Sequence, residues 1–99
     1  MNILLICSAG MSTSMVVKKM QSAAEQKGIE ATIWAVGDAE TKDNIAKADV
    51  IMLGPQVRFM KEKIEGQAGG KPVLVIDMMD YGRMNGEKIL EDALSAGTQ

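Results

Sequence analysis

The 99 residues carry 46% hydrophobic and 24% charged side chains, the composition of an ordinary folded protein and far from that of a disordered chain. Eleven Lys and Arg against thirteen Asp and Glu give a net charge of −2, and the basic residues are scattered, which excludes the electrostatic footprint of a nucleic-acid binder or of a protein held on anionic lipid. With no His and a single Cys, the chain alone offers no Ser-His-Asp or Cys-His pair, no His-bound metal, no internal disulfide and no CxxC pair.

This length reads as one domain spanning residues 1–99, and the even charge of so small a domain points to a monomer when free. The apolar run at residues 3–6 falls far short of the about 20 residues of a membrane-spanning helix and lacks the basic flank of a signal peptide, so a cytoplasmic protein is expected. Asn2-Ile3-Leu4-Leu5-Ile6 is apolar without alternation, the pattern of a strand covered on both faces, and it stops at Cys7. Over residues 12–27, Val16, Met20, Ala23 and Ala24 recur at helical spacing, and Gly28 supplies a left-handed stop, which predicts the first helix. Residues 29–36, with Thr32, Ile33 and Val36 around Trp34, predict a second strand. Gly37-Asp38 and Asp43-Asn44 then bracket a short polar helical turn, and residues 49–53 predict a third strand.

Gly54-Pro55 breaks the chain, after which Val57, Met60 and Ile64 take the spacing of a buried helical stripe that ends near Gly66. Residues 66–72 read as a mobile, Gly-rich loop, and Val73-Leu74-Val75-Ile76 as the fourth strand. Residues 77–82 read as a loop, Asn85 as the cap of a last helix with Ile89, Leu90, Ala93 and Leu94 inward, and the tail from Ala96 as frayed. The fold class is therefore α/β, an open four-stranded parallel sheet with helices on both faces. Ligands of such sheets bind beyond the carboxyl ends of the strands, which directs attention to residues 7–14, 54–57 and 77–81.

Cys7-Ser8-Ala9-Gly10-Met11-Ser12-Thr13-Ser14 joins the first strand to the first helix with small residues, three hydroxyls after Ala9 and no Pro. Its backbone N–H groups and the positive end of the helix together make a nest suited to a phosphoryl group. The same donors favour the thiolate of Cys7, the one strong nucleophile of the chain. In-line attack by Cys7 on a phosphoryl donor follows, with the loop N–H groups carrying the equatorial oxygens. A small, inert core residue is the plainer reading of the same Cys. Cysteine phosphatases set an Arg at the position Thr13 holds here; without that fork the loop suits holding a phosphoryl group for delivery rather than hydrolysing an ester.

These residues resemble a known family. The run from Asn2 to Ser14 and Gly54-Pro55-Gln56-Val57-Arg58 are similar to the enzyme IIB component, lactose/cellobiose class, of the bacterial sugar phosphotransferase system, and the similarity covers essentially the whole chain. The resemblance implies a phosphate loop after the first strand similar to that of low-molecular-weight tyrosine phosphatases, with Cys7 as the phosphorylated residue and Ser8, Ala9, Gly10, Met11, Ser12, Thr13 and Ser14 as the cradle. It implies a phosphoryl carrier that takes its group from a phosphohistidine of enzyme IIA and passes it to a sugar on the membrane enzyme IIC, where the carrier docks transiently. The sugar would be a disaccharide such as cellobiose, lactose or chitobiose, and no cofactor or metal is implied. The absence of His fits, since the donor imidazole then belongs to another chain.

Nine Met is a high count; Met20, Met52 and Met60 fall on apolar faces and read as core, whereas Met11, Met78 and Met79, with Tyr81, fall on the site-side loops as a candidate docking surface. Asp77 and Asp80 read as helix-entry caps before general acid or base, Arg58 as a solvated residue before a phosphate ligand, and Trp34 as a core or sheet-edge anchor. Beside the carrier stand a low-molecular-weight cysteine phosphatase-like enzyme, a non-catalytic doubly wound binding module with a structural Cys7, and a redox sensor weakened by the lack of a resolving Cys.

Overall fold

The computed structural model describes residues 1–7, 10–37 and 40–97, and within the first helix the side chains from residue 14 onward. Four strands, β1 (Asn2–Ile6), β2 (Thr32–Val36), β3 (Val50–Leu53) and β4 (Val73–Val75), form one parallel sheet in the order β2-β1-β3-β4. The register sets Ile3 opposite Ile33 on one side and Val50 on the other, and Ile51 opposite Val73. The chain moves one way from β1 to β2 and the opposite way from β2 through β3 to β4. Right-handed crossovers therefore place α1 (Gly10–Gln26) on one face and α2 (Thr41–Ile45) and α3 (Lys61–Ala68) on the other.

Successive strand residues feed the two faces in turn. Ile3, Leu5, Val50 and Met52 pack with Val16, Met20 and Ala24 of α1 and with Ile89, Leu90 and Ala93 of α5 (Gly86–Gly97). Leu4, Ile6, Ile51 and Leu53 pack with Ile45, Val57, Met60, Ile64 and Ala68. Both faces of β1 are thus sealed, which is why its sequence shows no alternation. Met20, Met52 and Met60 are buried as expected, and Trp34 on edge strand β2 packs on the second core while its Nε1 donates to Asn44 Oδ1 at 2.9 Å.

Several boundaries differ from the sequence-based expectation, each for a local reason. The second strand starts at Thr32 rather than residue 29, because the Ile29 N–H closes the end of α1 on Ala24 O at 2.8 Å. The helix expected to end near Gly66 continues to Ala68 and stops at Gly69, which takes the left-handed conformation (φ 61) as Gly28 (φ 68) does behind α1. It is also split: residues Pro55–Met60 wind as a 3-10 segment, with Val57 at φ −117 and ψ 22, before α3 begins. The expected mobile loop shrinks accordingly and is held at Lys71, whose Nζ donates to Ile45 O and Ala46 O at 2.8 and 3.1 Å.

Residues 77–82 are a short helix, α4 (Met78–Gly82), rather than a loop, because the Asp77 side chain accepts from the N–H groups of Met79 and Asp80 at 3.0 and 3.1 Å. Asn85 Oδ1 accepts from the Lys88 N–H at 3.2 Å, as an N-cap should. The tail does not fray at Ala96: α5 runs to Gly97, which lies against Met1 and Val50.

Candidate functional site at the carboxyl ends of β1 and β3

Strand order reverses direction between β1 and β3, the switch point beyond whose carboxyl ends ligands of such sheets bind. Cys7 stands at that point. Its N–H donates to Val36 O at 3.2 Å, continuing the pairing with β2, while on the other side the Gly54 N–H donates to Ile6 O at 2.9 Å. These two bonds fix the backbone on either side of the thiol, which is buried at 4% exposure. The next described residue, Gly10, opens α1, and no acidic side chain in the first turn offsets the positive end of that 17-residue helix.

Of the residues expected to cradle a phosphoryl group, Ser8 and Ala9 lie outside the described residues, as do the side chains of Gly10, Met11, Ser12 and Thr13. Ser14 is exposed on α1. The loop after β3 comes directly against Cys7, since a Cβ built on Gly54 would stand 3.5 Å from Cys7 Cβ. The loop after β4 is drawn to the same edge of the sheet by the Ile76 N–H, which donates to Leu53 O at 2.8 Å.

The segments after β3 and β4 form an open groove of about 570 Å³ lined by Pro55, Gln56, Arg58, Phe59, Met78, Tyr81 and Gly82. Met78 and Met79 are 63% and 60% exposed, while Tyr81 is buried in the α1–α5 core and offers the groove only an edge. Asp77 serves as the cap of α4, and Arg58 faces solvent at the groove's rim. Phe59, 79% exposed in the same groove, escaped the sequence reading. Its signal was available: the one Phe of the chain falls between Val57 and Met60, off the buried stripe and therefore outward. Gln56 was noticed only as part of a motif, although it abuts Gly54.

Lys27 is held above its ordinary value by hydrogen bonds first to Glu91 and then to Glu87, and Lys88 by its bond to Asp92. Among the described residues no group of three His, Cys, Asp or Glu could hold a metal ion, and no helix is long and apolar enough to cross a membrane.

A parallel sheet of this order, with a cysteine ending its central strand ahead of a helix, defines the low-molecular-weight-phosphatase-like class of fold. Within that class, residues 2–92 match the family described as PTS system, Lactose/Cellobiose specific IIB subunit, and the chain belongs to this family. The oligo-beta-mannoside-specific EIIB component of Bacillus subtilis (strain 168) is 48% identical over 95 residues, covering 94% of this chain and 92% of its own. The galactose-specific EIIB component of Lactococcus lactis subsp. cremoris (strain MG1363) is 46% identical over 98 residues, with 92% and 91% covered. The solution structure of the cellobiose-specific phosphotransferase IIB component of Borrelia burgdorferi superposes with a TM-score of 0.83 at 44% identity, covering 99% of this chain and 92% of that one. The chain is accordingly a sugar-specific phosphotransferase component that works with other components of such a system.

Proposed function

We propose that this protein is a phosphoryl carrier in which Cys7 accepts a phosphoryl group from a phosphohistidine of enzyme IIA and delivers it to a sugar bound by the membrane enzyme IIC. In the first step the thiolate attacks phosphorus, the S–P bond forms as the N–P bond breaks, and the proton given up by the thiol is taken by the departing imidazole. In the second a sugar hydroxyl attacks, the S–P bond breaks, and the hydroxyl proton returns the cysteine to its thiol. Residues 8–14 cradle the group with backbone N–H donors and the uncompensated positive end of α1.

The observation that carries this reading is the place of Cys7: the single thiol of the chain ends the central strand at the point where strand order reverses. Met78 and Met79, with the edge of Tyr81, supply an adaptable apolar rim on which two partners can dock in turn. The relatives are named for oligo-beta-mannosides, galactose and cellobiose, so the sugar handled here is of the same kind, a galactose or a β-linked oligosaccharide. Action at the cytoplasmic face of the membrane follows from delivery to enzyme IIC.

Incubation with phosphoenolpyruvate and the upstream phosphotransferase proteins should add one phosphoryl group, mapped to Cys7 and lost in Cys7→Ser. No adduct in the presence of a phosphorylated donor would overturn the carrier reading, and hydrolysis of an aryl phosphate instead would favour the phosphatase.

A further inference from the structure

Gly54 has φ −61 and ψ 151, a conformation open to any residue, so its missing side chain answers a need for space rather than for backbone freedom. A Cβ built there would stand 2.9 Å from Gln56 Oε1 and 3.5 Å from Cys7 Cβ. The room a methyl group would fill is taken by the Gln56 carboxamide, folded back over Gly54 on the side of the cysteine. We infer that Gln56 is a ligand of the phosphoryl group on Cys7, its amide nitrogen donating to a phosphoryl oxygen. This rests on the phosphocysteine reading above and adds a residue from the loop after β3 to a cradle otherwise built from residues 8–14.

The chemistry suits the position. A half-turn of the carboxamide exchanges its oxygen for an NH2 group with two donors. Phosphatases of this fold meet the phosphate with a charged Arg fork, and Thr13 stands in that place here. An amide N–H donating to an anionic phosphoryl oxygen is charge-assisted from the acceptor side only and lacks the bidentate ion pair of an Arg, which suits a phosphoryl group that has to leave again. Gln56 makes and breaks no bond to phosphorus; it touches the equatorial oxygens while the S–P bond forms and the N–P bond breaks.

The test compares wild type, Gln56→Leu, Gln56→Glu and Gly54→Ala for the rate of phosphoryl uptake from phosphorylated donor and for the 31P resonance of the adduct. Gln56→Leu should slow uptake about 100- to 1000-fold, the usual loss for one transition-state donor, and shift the resonance, with unfolding unchanged because the side chain is exposed. Gln56→Glu should be slower still, and Gly54→Ala, which keeps the amide but displaces it, should fall between. If wild type is phosphorylated on Cys7 while Gln56→Leu keeps uptake within twofold and the same resonance, Gln56 is not a ligand although the carrier reading stands. If wild type itself takes no phosphoryl group on Cys7, both fall together.

Discussion

Gly86 and Met20 bring the backbones of α5 and α1 into contact: a Cβ on Gly86 would stand 2.5 Å from the Met20 nitrogen and would collide with the carbonyl carbon of Lys19. Neither obstacle is the movable end of a side chain. Gly86→Ala therefore has to push the two helices apart over the core of Val16, Met20, Ile89 and Leu90. The expected loss is about 1–3 kcal/mol in urea unfolding, the range for forced overpacking. A loss below about 0.5 kcal/mol would mean that the helices are less tightly apposed.

The Asp77 carboxylate holds two N–H groups of α4, which makes it a cap first and gives it no need for a charge that moves. Asp77→Ala should cost about 1 kcal/mol of stability, whereas Asp77→Asn keeps an acceptor oxygen and should cost a few tenths. Phosphoryl uptake by Asp77→Asn should stay near wild type. Loss of uptake in that variant with stability retained would instead make Asp77 a proton-transfer group.

Lys27 joins the end of α1 to α5 through Glu91 at 3.1 Å and Glu87 at 3.4 Å, and its ammonium is held above the ordinary 10.5 by these partners. A raised folded-state value means that the ion pair's contribution is complete below pH 10.5 and fades as pH climbs through the raised value. Stability lost in Lys27→Met relative to wild type should be measurable at pH 7 and low salt, shrink with added salt, and disappear at strongly alkaline pH. A difference independent of both pH and salt would assign the effect to the packing of the lysine stem.

The layer structure was legible from the chain because Ile3, Leu4, Leu5 and Ile6 are all buried at 1% or less, and a strand sealed on both faces leaves an unbroken apolar run. Cys7 was legible for a related reason: the first strand of a parallel sheet ends where ligands bind, whatever the exact boundaries of its neighbours. What was misread is punctuation. Gly66 resembles a helix terminator, yet it lies in the exposed interior of α3, and the left-handed residue is Gly69. The five residues of α4 are too few for periodicity to register, and only the Asp77 cap announces them. The groove was half visible, since Met78 and Met79 stand out in sequence while Phe59 and Gln56 acquire meaning only when the loops after β3 and β4 converge.

Phe59 and Met78 place two large apolar side chains, 79% and 63% exposed, in the lining of one groove. Such exposure contributes little to folding, so Phe59→Ala and Met78→Ala should each change unfolding stability by no more than about 0.5 kcal/mol. Met20→Ala, by contrast, removes a fully buried side chain and should cost about 2–5 kcal/mol. If the groove receives the donor, the two surface variants should lower kcat/KM for phosphoryl uptake about tenfold each, chiefly through KM, as removal of an interface anchor does. Uptake at the wild-type rate in the double variant would move the docking surface off this groove, leaving Cys7 as acceptor and its partners seated elsewhere.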